Sequence, residues 1–440
     1  MLTIVIGVLI ILPFLIPVRN YLNEAEKIAS EKLGAPVIIG GGHLLLFPSP
    51  RVVVSDIVVG EQQDLLVKSL TVIPTISTLF SDTKIVDVKV NKPIVKKSAL
   101  AILAVWQDKS NADKDIETGQ FKIALKHIQV KELLLVWPNM QLPELDAEAT
   151  MTDSHQLEEA VLETSDGKVK AEVIPKGDEQ LVIITADNWT VPVGLPLLID
   201  SAKVEGYLKD NKLTIPKINV ALYGGNLTGD AVLDWRKNWR LSGKVKVDNL
   251  SVQKPSRLVS KAVYLSGNLF GNGVFSSDTK EAGALIDSLQ ANFKFNVSDG
   301  VLHGVDLLKV ASLLTRQGKQ GGETAFEEFS GVLNASGKHY HLRDLKISSG
   351  LIAAAGQVKV SPNKTLDGLV EVEVKRSVSL VAVPLAVSGT VSNPVLFPSK
   401  AALAGALAGT AILGPGVGTG LGVKAGGALD KFKDLFGSDK

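Results

Sequence analysis

Of the six histidines in this 440-residue chain, His339 and His341 stand two apart in KHYHLRD, a spacing that puts both rings on one face of a strand. Such a pair can begin a metal site, but a structural zinc takes four protein ligands and a catalytic one three. Asp344 is the nearest further donor and needs a geometry of its own, so the two histidines read as exposed side chains beside a turn. The motifs H-E-x-x-H, G-x-S-x-G and G-x-x-x-x-G-K are all missing. The glycines between Gly414 and Gly422 alternate but follow no strand pattern, so they are not a dinucleotide loop. With no cysteine, the chain has no disulfide, no thiolate nucleophile and no thiolate metal site. It reads as a protein that is not an enzyme, with no cofactor and no metal.

What remains is apolar material in quantity. Hydrophobic residues make up 45% of the chain but aromatics only 5%, so the content is mainly Val, Leu, Ile and Ala. A net charge of +1 supplies no field to gather nucleic acid, and basic residues alternate with acidic ones on strand faces. Alternation of period two is plain in IVDVKVNKP, where Val86, Val88 and Val90 share a face, and in KVKVD, where Val245 and Val247 oppose the lysines. It recurs in FKFNVSDG, with Phe293 and Phe295, and in LVEVEVKR, with Val370, Val372 and Val374. Gly, Asn, Asp and Ser punctuate these runs, as hairpin connections require, so the chain predicts antiparallel sheet with one apolar and one solvated face. Residues 205–233 and 330–360 can be laid side by side as a divergent strand-turn-strand repeat, echoed in SGNLFGNGVF (266–275). Convergent turn chemistry is the alternative source of that echo. Short helices are predicted at 278–290 and 304–317, the second packed on a sheet end or edge.

The two ends differ from this middle. The first eighteen residues carry no charge, and Ile4, Val5, Ile6, Val8, Leu9, Ile10, Ile11, Leu12, Phe14, Leu15 and Ile16 make them apolar enough for a membrane anchor. Eighteen helical residues span about 27 Å, near the hydrocarbon thickness of a bilayer. A cleaved signal peptide is the alternative, but no basic n-region or small-x-small cleavage site is present. RNYLNEAEKIASEKL follows as an amphipathic helix stopped by Gly34 and Pro36. Beyond residue 398 the chain turns rich in Gly and Ala, with a small-xxx-small ridge at Ala401, Gly405 and Gly409 broken by Pro415. Helical packing and peripheral membrane contact both suit that tail better than a second span.

Taken in order, these features resemble the AsmA family of Gram-negative envelope proteins. The likeness is carried by KLGAPVIIGGGHLLLFPSPRVVVSDIVVG, by LLVKSLTVIPTISTLFSDTKIVDVKVNKPIV (65–95), and by the repeats at 222–252, 348–374 and 383–399. The resemblance implies a mainly β protein held by an N-terminal transmembrane helix in the inner membrane, with its bulk in the periplasm and an elongated, curved antiparallel sheet forming a hydrophobic groove. On that reading the chain comprises an anchor (1–18), an amphipathic helix (19–34), two β regions (35–190 and 191–398) and a helical Gly/Ala-rich tail (399–440). The implied partners are membrane phospholipids and outer-membrane or periplasmic assembly proteins, with no nucleic acid. The valines and phenylalanines named above, from Val86 to Val374, are then the candidate groove lining. The alternative is a non-enzymatic scaffold acting in outer-membrane protein targeting or assembly, its strands paired into a dry sandwich.

Overall fold

The period-two pattern becomes strands along nearly all of the chain that the computed structural model describes, residues 18–75, 83–99, 101–102, 122–137, 140–152, 156–192, 194–312, 321–375 and 380–399. The chain divides into two units, Met1–Gly194 and Leu195–Lys440. The predicted anchor at 1–18 lies outside the described residues except for Val18, and the tail beyond Ser399 lies wholly outside them. Among the described residues no helix is long and apolar enough to cross a membrane.

The first unit opens with α1 (Val18–Leu33), followed by β1 (Val37–Leu45), β2 (Arg51–Val59), β3 (Leu65–Pro74), β4 (Thr83–Lys96) and β5 (Lys122–Trp137). Then come the two-residue β6 (Met140–Gln141), β7 (Leu145–Met151), β8 (Leu157–Thr164), β9 (Val169–Lys176) and β10 (Glu179–Thr190). Neighbours in sequence pair antiparallel from β1 to β4, β5 pairs with both β6 and β7, and antiparallel pairing continues from β7 to β10. The pairing of β4 with β5 is parallel, which corrects the expectation of an antiparallel sheet throughout. Alternation reports which face a side chain takes, not the direction of its strand, and the stretch between Lys96 and Lys122 is long enough for the crossover that parallel neighbours need.

The amphipathic helix α1 lies along the edge of β1. Glu26 Oε1 accepts from the Ile39 amide at 2.6 Å, and Ser30 Oγ accepts from the Val37 amide at 2.9 Å, so two edge donors are satisfied by the helix rather than left as a template for another strand. Leu22 is buried against Gly42, where an added Cβ would stand 3.0 Å from its Cδ2.

Among its described residues the second unit is a meander of twelve strands. They are β11 (Leu198–Lys209), β12 (Lys212–Leu222), β13 (Gly225–Asp234), β14 (Trp239–Ser251), β15 (Tyr264–Thr279) and β16 (Gln290–His303), then β17 (Glu323–Ser336), β18 (His339–Ser348), β19 (Ile352–Val360), β20 (Leu366–Lys375), β21 (Leu380–Thr390) and β22 (Asn393–Pro398). Each pairs antiparallel with the next. Among the described residues two α-helices interrupt it: α2 (Gln253–Val259), and α3 (Leu307–Ser312) between β16 and β17. The helix expected at 278–290 shrinks to one 3-10 turn, Ala282–Ala284, because β15 runs on to Thr279 and β16 begins at Gln290.

Alternate strands of this meander carry one extra residue. Register slips by one on β12 between Ile215 and Ile218, on β14 between Val247 and Leu250, on β16 opposite Ser266 and Asn268, and on β18 between Leu342 and Leu345. Asn249, Asp299 and Asp344 take left-handed backbone at three of these bulges, with φ of 54°, 51° and 53°. Short polar side chains tolerate that conformation, and each bulge increases the local twist.

The later strands curl. In a flat sheet β17 and β22 would lie about 24 Å apart, five spacings of about 4.8 Å, whereas a helix is about 10 Å across. Yet α3 packs against β17, β20 and β22 together. α3 thus packs at one end of the curled strands, beside the start of β17, the end of β18, the start of β19 and the end of β20, as its apolar density predicts, and closes that end of the concave face.

Candidate functional site: the apolar face of the sheets

Cross-strand register turns the one-sided strands into continuous apolar rows. In the second unit one row begins Val204, Ile218, Gly229, Val245, Gly273 and Phe293 on β11 to β16. It continues through Leu333, Leu342, Val358, Gly368, Val387 and Leu396 on β17 to β22. Every one of these twelve positions is apolar. At about 4.8 Å per strand, the row runs some 53 Å along the sheet. One residue over, on the other face, the corresponding row reads Lys203, Asn219, Thr228, Lys246, Asn272 and Lys294. The contrast comes from period-two alternation held in register over many strands.

Two structural devices shape this lane. The ring of Phe293 lies over Gly271, where a Cβ would come within 2.5 Å of its Cζ, and Phe275 covers Gly243 in the same way. Glycine in these strands is thus the space into which a neighbouring aromatic ring folds, which keeps the surface low. Burial then divides the face. At one end Val297, Ile352, Val372 and Leu385 are between 0% and 2% exposed, packed as an ordinary core. Val245, Phe293, Phe295 and Val370 pack at its margin and are only partly buried.

Between α3 and the curled strands lies a cavity of ≈ 290 Å³. Its walls are apolar at every residue; Val263, Leu345, Val358, Val370 and Leu396 come from the sheet side, with Val305 and Leu307 from the α3 segment. A wall without a hydrogen-bond donor or acceptor gives water no partners and suits hydrocarbon.

The candidate lining residues fall as follows. Val245, Val247, Phe293, Phe295, Val370, Val372 and Val374 belong to one face of the second unit, and Val247, Val372 and Val374 lie within its buried cluster. Val86, Val88 and Val90 belong to the first unit. There Val88 lies in a row with Leu44, Val52, Val72, Ile128 and Ala149, all apolar. Val90 lies beside Leu70 and Val130, while Val86 is buried at 7%. The anchor residues from Ile4 to Ile16 lie outside the described residues.

The other face carries a polar cluster that sequence reading missed. His303 Nδ1 is 2.8 Å from Glu323 Oε1, and its Nε2 is 3.0 Å from Ser266 Oγ. Tyr264 stacks on the His303 ring at 4.3 Å, and the Arg257 guanidinium sits 4.1 Å above Tyr264 while donating to its hydroxyl. The bonding order Ser–His–Glu is that of an acyl-transfer triad. However, the apolar cavity opens on the opposite face, at Val263 and Leu302, so among the described residues it brings no ester to Ser266. The cluster instead ties together the ends of β15, β16 and β17, because Tyr264 pairs with His303 and His303 with Glu323 across the ladders. No signal within one strand could reveal it, since its members are brought together only by register.

His339 and His341 are on β18, and His341 Nε2 is 3.2 Å from Gln357 Oε1. Among the described residues no three His, Asp or Glu side chains gather as a metal site.

A lane of this kind, one apolar face sustained strand after strand with polar residues opposite, is where comparison with known families becomes informative. Residues 172–339 match the AsmA family. The AsmA-family region takes in the lane from β11 to β17 and the 222–252 segment on which the resemblance rested. The opening hairpin and the strands after β18 begins lie outside it. No curated protein and no solved structure matches the chain.

Proposed function

We propose that this protein binds phospholipid by its acyl tails along the apolar lane and passes it toward the outer membrane, supporting outer-membrane biogenesis. The observation that carries the reading is the unbroken apolar row across twelve strands, much of it only partly buried by the chain's own side chains. Each methylene covered there is worth about 0.8 kcal/mol, so a tail lying across a few strands gains substantially without any specific pocket. One bilayer leaflet holds tails about 15 Å long, roughly three strand spacings, which the lane exceeds several times over. In this reading residues 1–18 anchor the chain in the inner membrane, the sheets stand in the periplasm, and no covalent chemistry is required.

The test uses neighbouring residues on opposite faces. A photo-crosslinking residue at Phe293 should yield phospholipid adducts in cells, identified by mass spectrometry, while the same residue at Lys294 should yield none. Equal adducts at both positions, or none at either, would refute the groove.

The scaffold reading draws on β22, which among the described residues pairs with β21 alone and is thus an edge, and where Val395 and Phe397 are 37% and 41% exposed. An edge of that kind suits addition of a partner's strand. Crosslinks from Phe397 to an outer-membrane protein, with Phe293 silent, would favour it.

A further inference from the structure

We propose that α3 is a built-in stopper: its apolar side closes the end of the concave cavity along which an acyl tail would lie, and a full-length tail displaces it. This rests on the lipid-binding reading and adds how that site is held closed.

The α3 segment is an excursion from the end of β16 to the start of β17, and its base is well tied. The Gly304 amide donates to Gly322 O at 2.9 Å and the Gly321 amide to Gly304 O at 3.3 Å, while His303 and Glu323 pair on the opposite face. Beyond that base the attachment is of another kind. Val305, Leu307 and Ala311 are buried at 7%, 3% and 7%, and Val305 and Leu307 form part of the cavity wall. Thr324, itself 5% exposed, donates from Oγ1 to Val305 O at 2.8 Å and accepts from the Leu307 amide at 2.9 Å.

A helix of six residues has little stability of its own and keeps its shape only through such contacts. Apolar burial is also what an acyl tail offers the same wall, so a tail can replace the apolar contacts of α3, with the Thr324 hydrogen bonds acting as a latch that docking keeps and displacement breaks. Gly304 and Gly321, at φ of 85° and 103°, stand where the segment leaves and rejoins the sheet and let the backbone turn sharply. The stopper therefore lowers the apparent affinity for lipid by the fraction of molecules in which it is docked.

The variant that separates stopper from fixed core is Thr324→Val, which keeps the side chain's shape but leaves the docked Leu307 amide and Val305 carbonyl without their partner. With the full chain in detergent and a pyrene-tailed phosphatidylglycerol as probe, Thr324→Val should bind about tenfold more probe than wild type at limiting concentration. In wild type, adding the lipid should speed hydrogen exchange of the amides in 305–312 while those of β19 and β20 stay protected. Probe bound equally by both proteins, with 305–312 as protected as before, would overturn the stopper and leave the lipid reading standing. Probe bound by neither would overturn both. The exchange measurement is made on wild type, so it stands whatever Thr324→Val does to folding.

Discussion

The concave face of the second unit holds a core and a lane side by side, and truncation should distinguish them. Leu385 is 0% exposed, paired across the sheet with Val370 and Pro398, and lies within the cluster that includes Val372 and Val383. Replacing a leucine so enclosed by alanine costs about 2–5 kcal/mol, the lost transfer energy plus that of the cavity left behind. Val245 has the same orientation but lies between Gly229 and Gly273, with no side chain from either neighbour to cover it, and is only partly buried. Val245→Ala removes two carbons' worth of burial at about 0.8 kcal/mol each when complete, and with part of that surface already exposed the loss should be about 1–1.5 kcal/mol. Hydrogen exchange on the full chain reads each effect where it occurs. Leu385→Ala should lower the opening free energy of β20 and β21 amides by the larger amount, and Val245→Ala should lower that of β14 by the smaller. If the two substitutions prove equally destabilising, the lane is packed like the core, no surface remains for a tail, and the groove argument fails.

Two further outcomes follow from local geometry. Asp344 takes a left-handed conformation at the β18 bulge, so Asp344→Gly should leave thermal stability unchanged or raised while Asp344→Val lowers it by about 1–2 kcal/mol; equal effects would mean the bulge is not held in solution. In the first unit the Lys131 ammonium at 2.9 Å, then the Glu132 amide, hold the Asp146 carboxyl below its ordinary 3.8. Its contribution to stability is therefore fully present above that value and is lost as pH falls through the lower folded midpoint. In Lys131→Met the Asp146 midpoint should rise toward 3.8 by NMR titration, and an unmoved midpoint would show that the ammonium is not its partner.

Much of this architecture is legible in single strands. KVKVD, FKFNVSDG and LVEVEVKR announce their apolar faces, and the structure puts Val245, Phe293 and Val370 on one side of the second unit. What a single strand cannot announce is its neighbour. SGNLFGNGVF shows its glycines openly, but their reason is the Phe293 ring of the following strand, folded over Gly271. Strand direction is equally silent, because β4 and β5 alternate the same way whether they pair parallel or not. The apolar density of VDLLKVASLL shows a helix that must be covered at a sheet end, but which strands it meets there depends on the curl of seven strands from β16 to β22. The Ser266–His303–Glu323 cluster depends on three strands ending in register, which no spacing within the chain records.

The bulges connect these points to the lane. An unbulged meander with one apolar face would twist less and present a more open hydrophobic surface, the kind that associates with its own copies. One extra residue on each of β12, β14, β16 and β18 adds twist at every second strand while leaving the apolar row in register on either side, as Val247 and Leu250 both face inward across the slip at Asn249. The same device that bends the sheet therefore preserves its sidedness. Burial divides the face along the strands: Val245, Phe293 and Val370 stay partly uncovered, while Val247, Val297 and Val372, further along the same strands, join the buried cluster that includes α3 residues Leu307 and Ala311. Core and lane are thus one face at two positions along the same strands. Removing a bulge, by contrast with deleting a core side chain, should change how much of that surface is available to hydrocarbon without changing its chemistry.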